Sequence, residues 1–210
     1  DQRSTAAARF FLAQDGVETA PTLSVESNGH TNLHFAASGG DEELVAFFLK
    51  DEHVLANIDA RDKDKRTPLH TAVVGKHVGV ARILLEAGAD VHVREAHDAT
   101  CMRIAAQCED PQMAALLLDH GADIEAADEN GVNALLLACS TQHNAVAKLL
   151  MERGANVNHC DKNNDTPLHL AATRGEPDVV RWLVQRGADV NARECHDATP
   201  LRLAAQTGDV

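Results

Sequence analysis

The sequence predicts an all-α protein built from a short helical repeat, and three observations carry that prediction. A four-residue phrase recurs at fixed spacing, an alanine follows it at a fixed offset, and a glycine closes most units. Thr67-Pro68-Leu69-His70, Thr166-Pro167-Leu168-His169 and Thr199-Pro200-Leu201-Arg202 are one phrase. The last two start 33 residues apart, and the first two start 99 apart, three times that period. Copies are therefore expected at 100 and 133, where Thr100-Cys101-Met102-Arg103 and Asn133-Ala134-Leu135-Leu136 stand. Thr31-Asn32-Leu33-His34 precedes Thr67 by 36, so the first unit carries three extra residues.

Ahead of the first phrase, Thr5 to Gln14 reads as one amphipathic helix, the degenerate second helix of a preceding unit, and Gly16 to Ser27 as the loop that follows. Each phrase then starts a helix. The Thr hydroxyl caps the N-terminus, worth about 1 kcal/mol, and Pro takes the first helical position, where its missing N–H costs nothing. Leu opens the buried stripe. Ala36, Ala72, Ala105, Ala138, Ala171 and Ala204 all fall five residues after the Thr slot, where a small side chain lets neighbouring helices approach. A second helix follows with apolar spacings of three and four, as in Val146, Leu149 and Leu150 or Val179, Trp182 and Leu183. Gly88, Gly121, Gly154 and Gly187 sit where a helix-ending glycine belongs. In the first unit Lys50 to Ile58 replaces that ending, either as a binding loop or as a tolerated insertion.

Between units the chain returns as an extended hairpin. Two residues before each Thr slot stand Gly29, Lys65, Asp98, Gly131, Asn164 and Asp197, a turn position for residues that tolerate positive φ, with Lys65 the exception. Five before the slot there is always an acid: Glu26, Asp62, Glu95, Asp128, Asp161 and Glu194. Such regularity points to carboxylates that accept hydrogen bonds from their own turns rather than to catalysis. Arg94-Glu95-Ala96-His97-Asp98-Ala99-Thr100 and Arg193-Glu194-Cys195-His196-Asp197-Ala198-Thr199 are nearly the same stretch, 99 residues apart, which suggests duplication of a three-unit block.

The phrase, the Ala slot and Gly187-Ala188-Asp189-Val190-Asn191 together resemble the ankyrin repeat, over residues 28–210. The resemblance implies a solenoid of antiparallel helix pairs with projecting β-hairpin fingers, curved into an L-shaped array, with repeats at 28–63, 64–96, 97–129, 130–162, 163–195 and, cut short, 196–210 after an N-terminal helix and loop at 1–27. The start at Asp1 and the stop inside an inner helix read as a piece of a longer array. The resemblance also places Asn158 and Asn191, with His92 in the equivalent slot, where ankyrin proteins undergo asparagine hydroxylation.

Composition narrows function. Nineteen Lys and Arg against 32 Asp and Glu leave a formal charge of −13, which argues against a nucleic-acid surface. No apolar run approaches the about 18–20 residues of a membrane span, and five Cys without a short paired spacing are not a secreted disulfide framework. The expectation is an intracellular monomer, cytoplasmic or nuclear, without cofactor. No nucleophile elbow or phosphate-cradling loop occurs. His34, His70 and His169 fill the motif's own His slot, and His77 and His143 share another, so all five read as structural. His159, Cys160, Cys195 and His196 lie near adjacent fingertips, but their spacing is that of the repeat rather than of a zinc pair, so no metal is expected there. Cys101 and Cys139 read as inert small residues and Trp182 as core.

What remains is surface. Partners of ankyrin proteins dock mostly on the concave side, made of fingertips and exposed inner-helix positions. Slot by slot, that face here is Asp64, Arg66, His97, Asn130, Val132, Asn163, Asp165 and His196 at the tips, with Cys108, Thr141 and Arg174 along the inner helices. The expected function is non-enzymatic binding of a protein or peptide, with basic patches suiting the negative field. The alternatives are a targeting or regulatory arm of a larger enzyme or signalling protein, and, more remotely, a metal site on the fingertips.

Overall fold

A computed structural model of the chain describes residues 28–207. The helix expected at Thr5–Gln14 and its loop lie outside the described residues. Twelve helices and no extended strand occur among the described residues, as the all-α prediction requires. The chain divides into two compact units, one ending at Cys101 and one beginning at Met102.

In the first unit α1 (Asn32–Gly39), α2 (Glu42–Phe48), a one-turn α3 (Glu52–Leu55), α4 (Pro68–Val74) and α5 (Val78–Glu86) form two layers. The inner helices α1 and α4 pack on each other, the outer helices α2 and α5 likewise, and each inner helix packs on its own outer partner. The second unit takes up α6 (Cys101–Gln107) from its second residue on, then α7 (Pro111–Asp119), α8 (Ala134–Thr141), α9 (Asn144–Glu152), α10 (Pro167–Arg174), α11 (Pro177–Gln185) and α12 (Pro200–Thr207). Here α8, α10 and α12 stack as the inner layer while α7, α9 and α11 stack as the outer one.

Local chemistry explains these boundaries. Thr31, Thr67 and Thr166 each accept from the N–H of the motif His, and that His ring accepts from the Thr backbone N–H in return. Two of the donors left without partners at each helix start are thereby satisfied. Asn133 replaces Thr as the cap, its Oδ1 accepting from Leu136 N at 3.0 Å, but Leu136 cannot return the bond as the motif His does. Asp41 and Asp110 cap α2 and α7 in the same way. The closing glycines Gly88, Gly121, Gly154 and Gly187 have φ between +83° and +96°, and an added Cβ would meet nothing within 4 Å. Backbone conformation, not crowding, demands glycine there.

The alanine slot does what its size predicts in five copies, with Ala36 2% exposed and Ala72, Ala105, Ala138 and Ala171 fully buried, whereas Ala204 is only half-buried. Leu69, Leu84, Met113, Leu117, Leu135, Leu150 and Leu183 are among the largest side chains that are fully buried. The Lys50–Ile58 insertion is not an open loop. Asp51 caps α3 through His53 N at 2.8 Å, and Ile58 folds back to 8% exposure.

Candidate functional site

Each finger is a closed hydrogen-bonded turn. The acid's N–H donates to the carbonyl four residues on: Asp62 to Arg66, Glu95 to Ala99, Asp128 to Val132, Asp161 to Asp165 and Glu194 to Ala198. The acid's carboxylate then takes the N–H groups of the tip. Asp62 Oδ1 accepts from Asp64 and Arg66, Asp128 Oδ1 from Asn130 and Val132, and Asp161 Oδ1 from Asn163 and Asp165, all at 2.8–2.9 Å. The five described acids of the row are therefore structural, as expected from their regularity; Glu26 lies outside the described residues. Arg94 and Thr100 alone pair as an antiparallel bridge among the described residues.

The turn position is left-handed in every described finger, at Lys65 (φ +58°), Asp98 (+60°), Gly131 (+81°), Asn164 (+60°) and Asp197 (+63°). Lys65 is thus no exception in conformation; the turn imposes αL on a side chain that ordinarily avoids it.

Backbone bonds join neighbouring fingers. In the first unit Ala96 N donates to Asp64 O at 2.7 Å. In the second, Lys162 N donates to Asn130 O at 2.9 Å and Cys195 N to Asn163 O at 2.8 Å, which sets three tips side by side. Asn130, Asn163 and His196 there have exposed side chains; Val132 and Asp165 are half-buried at the finger bases. Burial, reinforced by the charge of Asp161, raises the Asp165 carboxyl above its ordinary pKa. On the inner helices Arg174 is exposed and Cys108 half-buried, while the exposed Thr141 spends its hydroxyl on Leu137 O at 2.8 Å. In the first unit Asp64 and His97 are exposed, and Arg66 Nε lies 3.6 Å from the buried Glu95 carboxylate.

The motif histidines do more than their slot indicates. Besides closing the capping box, His34 Nε2 reaches Arg66 O at 3.0 Å, and His169 Nε2 reaches Ala192 O and Ala198 O at 3.1 and 3.2 Å, so each ring ties a helix start to the next finger. Burial lowers the pKa of His34 and pushes that of His70 down to about 4. His77 Nε2 bonds Ser38 O and His143 Nδ1 bonds Ala106 O, linking outer helices back to the preceding repeat. Burial raises both Cys101 and Cys139, the latter to about 12, which leaves them chemically quiet. Trp182 is half-buried with Lys148 Nζ 5.5 Å from its ring centre.

His159, Cys160, Cys195 and His196 do not form one cluster. His159 Nε2 donates to Gly131 O at 2.8 Å, with Nδ1 3.8 Å from Glu125. Instead Glu194, Cys195 and His196 converge, their ligand atoms all within 4.8 Å, the one such trio among the described residues. Two further features escaped the sequence reading. Asp59, Glu125 and Asn158 share a repeat slot and each accepts from a backbone N–H 31 residues on. Asn158 also donates to Gly187 O at 3.1 Å, so both ends of its amide are held. Second, a cavity of about 850 Å³ opens between α11 and α12, walled by Leu168, Val180, Val184, Val190 and Leu201.

Known proteins share this arrangement. A family model described as "Ankyrin repeats (3 copies)" matches residues 3–95, 102–194 and 154–210. The solved ankyrin repeat domain of Bcl-3, described as a unique member of the IkappaB protein family, superposes with a TM-score of 0.79 at 30% identity, over 87% of this chain and 82% of that one. Among curated relatives, the NF-kappa-B p105 subunit of Gallus gallus is 31% identical over 87 residues, covering 41% of this chain. Rabankyrin-5 of Homo sapiens is 42% identical over 66 residues, or 31% of this chain. A palmitoyltransferase of Drosophila melanogaster is 34% identical over 80 residues, or 38% of this chain. The matched segments span 9%, 5% and 12% of those three proteins. With its capping boxes, buried alanines, αL glycines and matched repeats all in register, the chain belongs to the ankyrin-repeat family.

Proposed function

We propose that this chain is a non-enzymatic interaction module that binds a protein or peptide through its fingertips and inner-helix edges. The observation that carries the reading is a division of labour within each finger. The backbone and the acid satisfy one another internally, so Asp64, His97, Asn130 and Asn163 project side chains that the fold does not use. A polar face on a rigid scaffold suits selective docking better than indiscriminate adhesion. In the second unit the face comprises Asn130, Val132, Asn163, Asp165 and His196 with Cys108, Thr141 and Arg174; in the first it comprises Asp64, Arg66 and His97. The −13 charge favours a partner with basic patches. Five unpaired cysteines suit a reducing compartment. No described helix is long and apolar enough to cross a membrane.

The test compares capture from the source cell by wild type and by two folded variants, Arg66→Glu/His97→Ala and Val132→Arg/Arg174→Glu. A partner lost by either variant supports the face. A partner indifferent to both moves the site to the outer helices or to α3. A second reading, a targeting or regulatory arm, draws on the small share that matched segments occupy in their relatives, a palmitoyltransferase among them. Deleting residues 28–207 from the protein as its cell makes it would then shift its location or control while sparing any catalytic rate.

A further inference from the structure

The last finger differs from its near-copy in the first unit in a way the turn does not require. In both, the acid holds the tip: His97 N donates to Glu95 Oε1 at 3.0 Å and His196 N to Glu194 Oε2 at 2.8 Å. Both also brace the turn with an ion pair, Arg94 with Asp98 at 2.9 Å and Arg193 with Asp197 at 2.6 Å. The differences are Cys195 in place of Ala96 and Asp165 in place of Arg66. Arg66 lies beside Glu95 and neutralises it. Asp165 instead adds negative charge near Glu194 and His196.

Three donor atoms converge as a result. Glu194 Oε2 lies 3.3 Å from Cys195 Sγ and 3.0 Å from His196 Nδ1, and Sγ lies 3.2 Å from Nδ1. A tetrahedral zinc ion with ordinary bond lengths spaces oxygen, nitrogen and sulfur ligands about 3.3–3.5 Å apart, so the trio already approximates one face of the tetrahedron. The supports are in place too. Glu194 Oε1 is held by Ala198 N at 2.9 Å, and the backbone beneath Cys195 is held by Asn163 O at 2.8 Å. Such second partners keep ligand atoms aimed. Cys195 and His196 are exposed, so an ion can enter and the fourth position faces water.

We propose that Glu194, Cys195 and His196 form a surface site for a zinc-type divalent cation. Carboxylate, thiolate and imidazole are the mixed, borderline-soft set that such ions take. Protons balance simply: the ion displaces the Cys195 thiol proton to solvent, the His196 proton resides on Nε2 so that Nδ1 can ligate, and carboxylate and thiolate together neutralise the 2+ charge.

The test is a titration of chelator-treated, reduced protein with cobalt(II), whose thiolate charge-transfer band reports sulfur ligation, followed by displacement with zinc(II). One equivalent with that band is expected. Cys195→Ser and His196→Ala each abolish the band or weaken binding at least tenfold, while Cys160→Ser leaves it intact; both altered side chains are exposed, and circular dichroism verifies the fold. The first unit supplies a gain test, since Arg66→Asp/Ala96→Cys rebuilds the same environment around Glu95 and His97 and should bind a second equivalent. No band in wild type, a band that survives Cys195→Ser, or a double variant that stays at one equivalent overturns the proposal.

Discussion

Two inner helices of the second unit carry almost the same words and have different fates. Thr166 to Arg174 reads Thr-Pro-Leu-His-Leu-Ala-Ala-Thr-Arg, and Thr199 to Thr207 reads Thr-Pro-Leu-Arg-Leu-Ala-Ala-Gln-Thr. Both form helices, α10 and α12, over the same positions of the phrase. Yet Leu168 is 3% exposed and Leu201 75%. The cause is neighbours. Helix α10 packs on α8, α11 and α12, whereas α12 packs on α10. The slot that holds His169 at 0% exposure accordingly holds Arg202 in solvent at the other helix. Local sequence decides that a helix forms and which face is apolar; burial belongs to the stack.

The strongest way to sharpen this comparison is truncation of the matched leucines. Leu168→Ala should cost about 2–5 kcal/mol, lost transfer energy plus an unfilled cavity, and Leu201→Ala under about 1 kcal/mol. Urea denaturation of the two variants measures both, and equal losses would mean that Leu201 is buried in solution.

The His slot offers the next largest effect, through pH. His70 has a pKa of about 4 when folded against 6.5 as its ordinary value, because burial disfavours the imidazolium. A depressed histidine pKa means that the unfolded chain binds the proton more readily, so stability is intact above about pH 6.5 and falls as pH drops toward 4. The linkage amounts to about 3 kcal/mol at most. His34 shifts in the same direction for the same reason. Below about pH 4.5 the carboxylate of Glu194, held down to about 2 chiefly by the His196 N–H, opens a second window of loss as it protonates. Denaturation midpoints from pH 7.5 to 4 should decline, and His70→Gln should flatten the upper part of that decline.

The smallest effect concerns the fingers. Lys65 alone among the described turn positions combines an αL backbone with a long side chain that makes no local bond favouring it, so Lys65→Gly should stabilise by up to about 1 kcal/mol. The same change at Asn164, an amide that tolerates αL, should gain less. Thermal unfolding of the pair ranks them.

Much of the site was legible. The acid at each finger base and the left-handed turn could be placed because each repeats in register, and repetition separates a structural requirement from accident. The trio at Glu194 was not, because its members are individually unremarkable: Glu194 belongs to the acid row, His196 has a counterpart in His97, and Cys195 sits where another finger has Ala96. Their convergence depends on side-chain directions at one turn, which spacing alone does not encode. His159 illustrates the reverse. It shares a neighbourhood in sequence with Cys160, yet its ring is turned to Gly131 O on an adjacent finger.

By itself, the sequence determined the helix pairs, their caps, the closing αL glycines and the apolar face of each unit, because those depend on contacts within a few residues and recur every 33. Tertiary structure alone decided which copies of that face are buried, which polar side chains also meet a neighbour within the fold, as Arg66 and Thr141 do, and which donors meet, as at Glu194. The physical reason is range. Dihedral preference and capping act along the chain, whereas burial and convergence require a neighbour whose position only the packed array supplies.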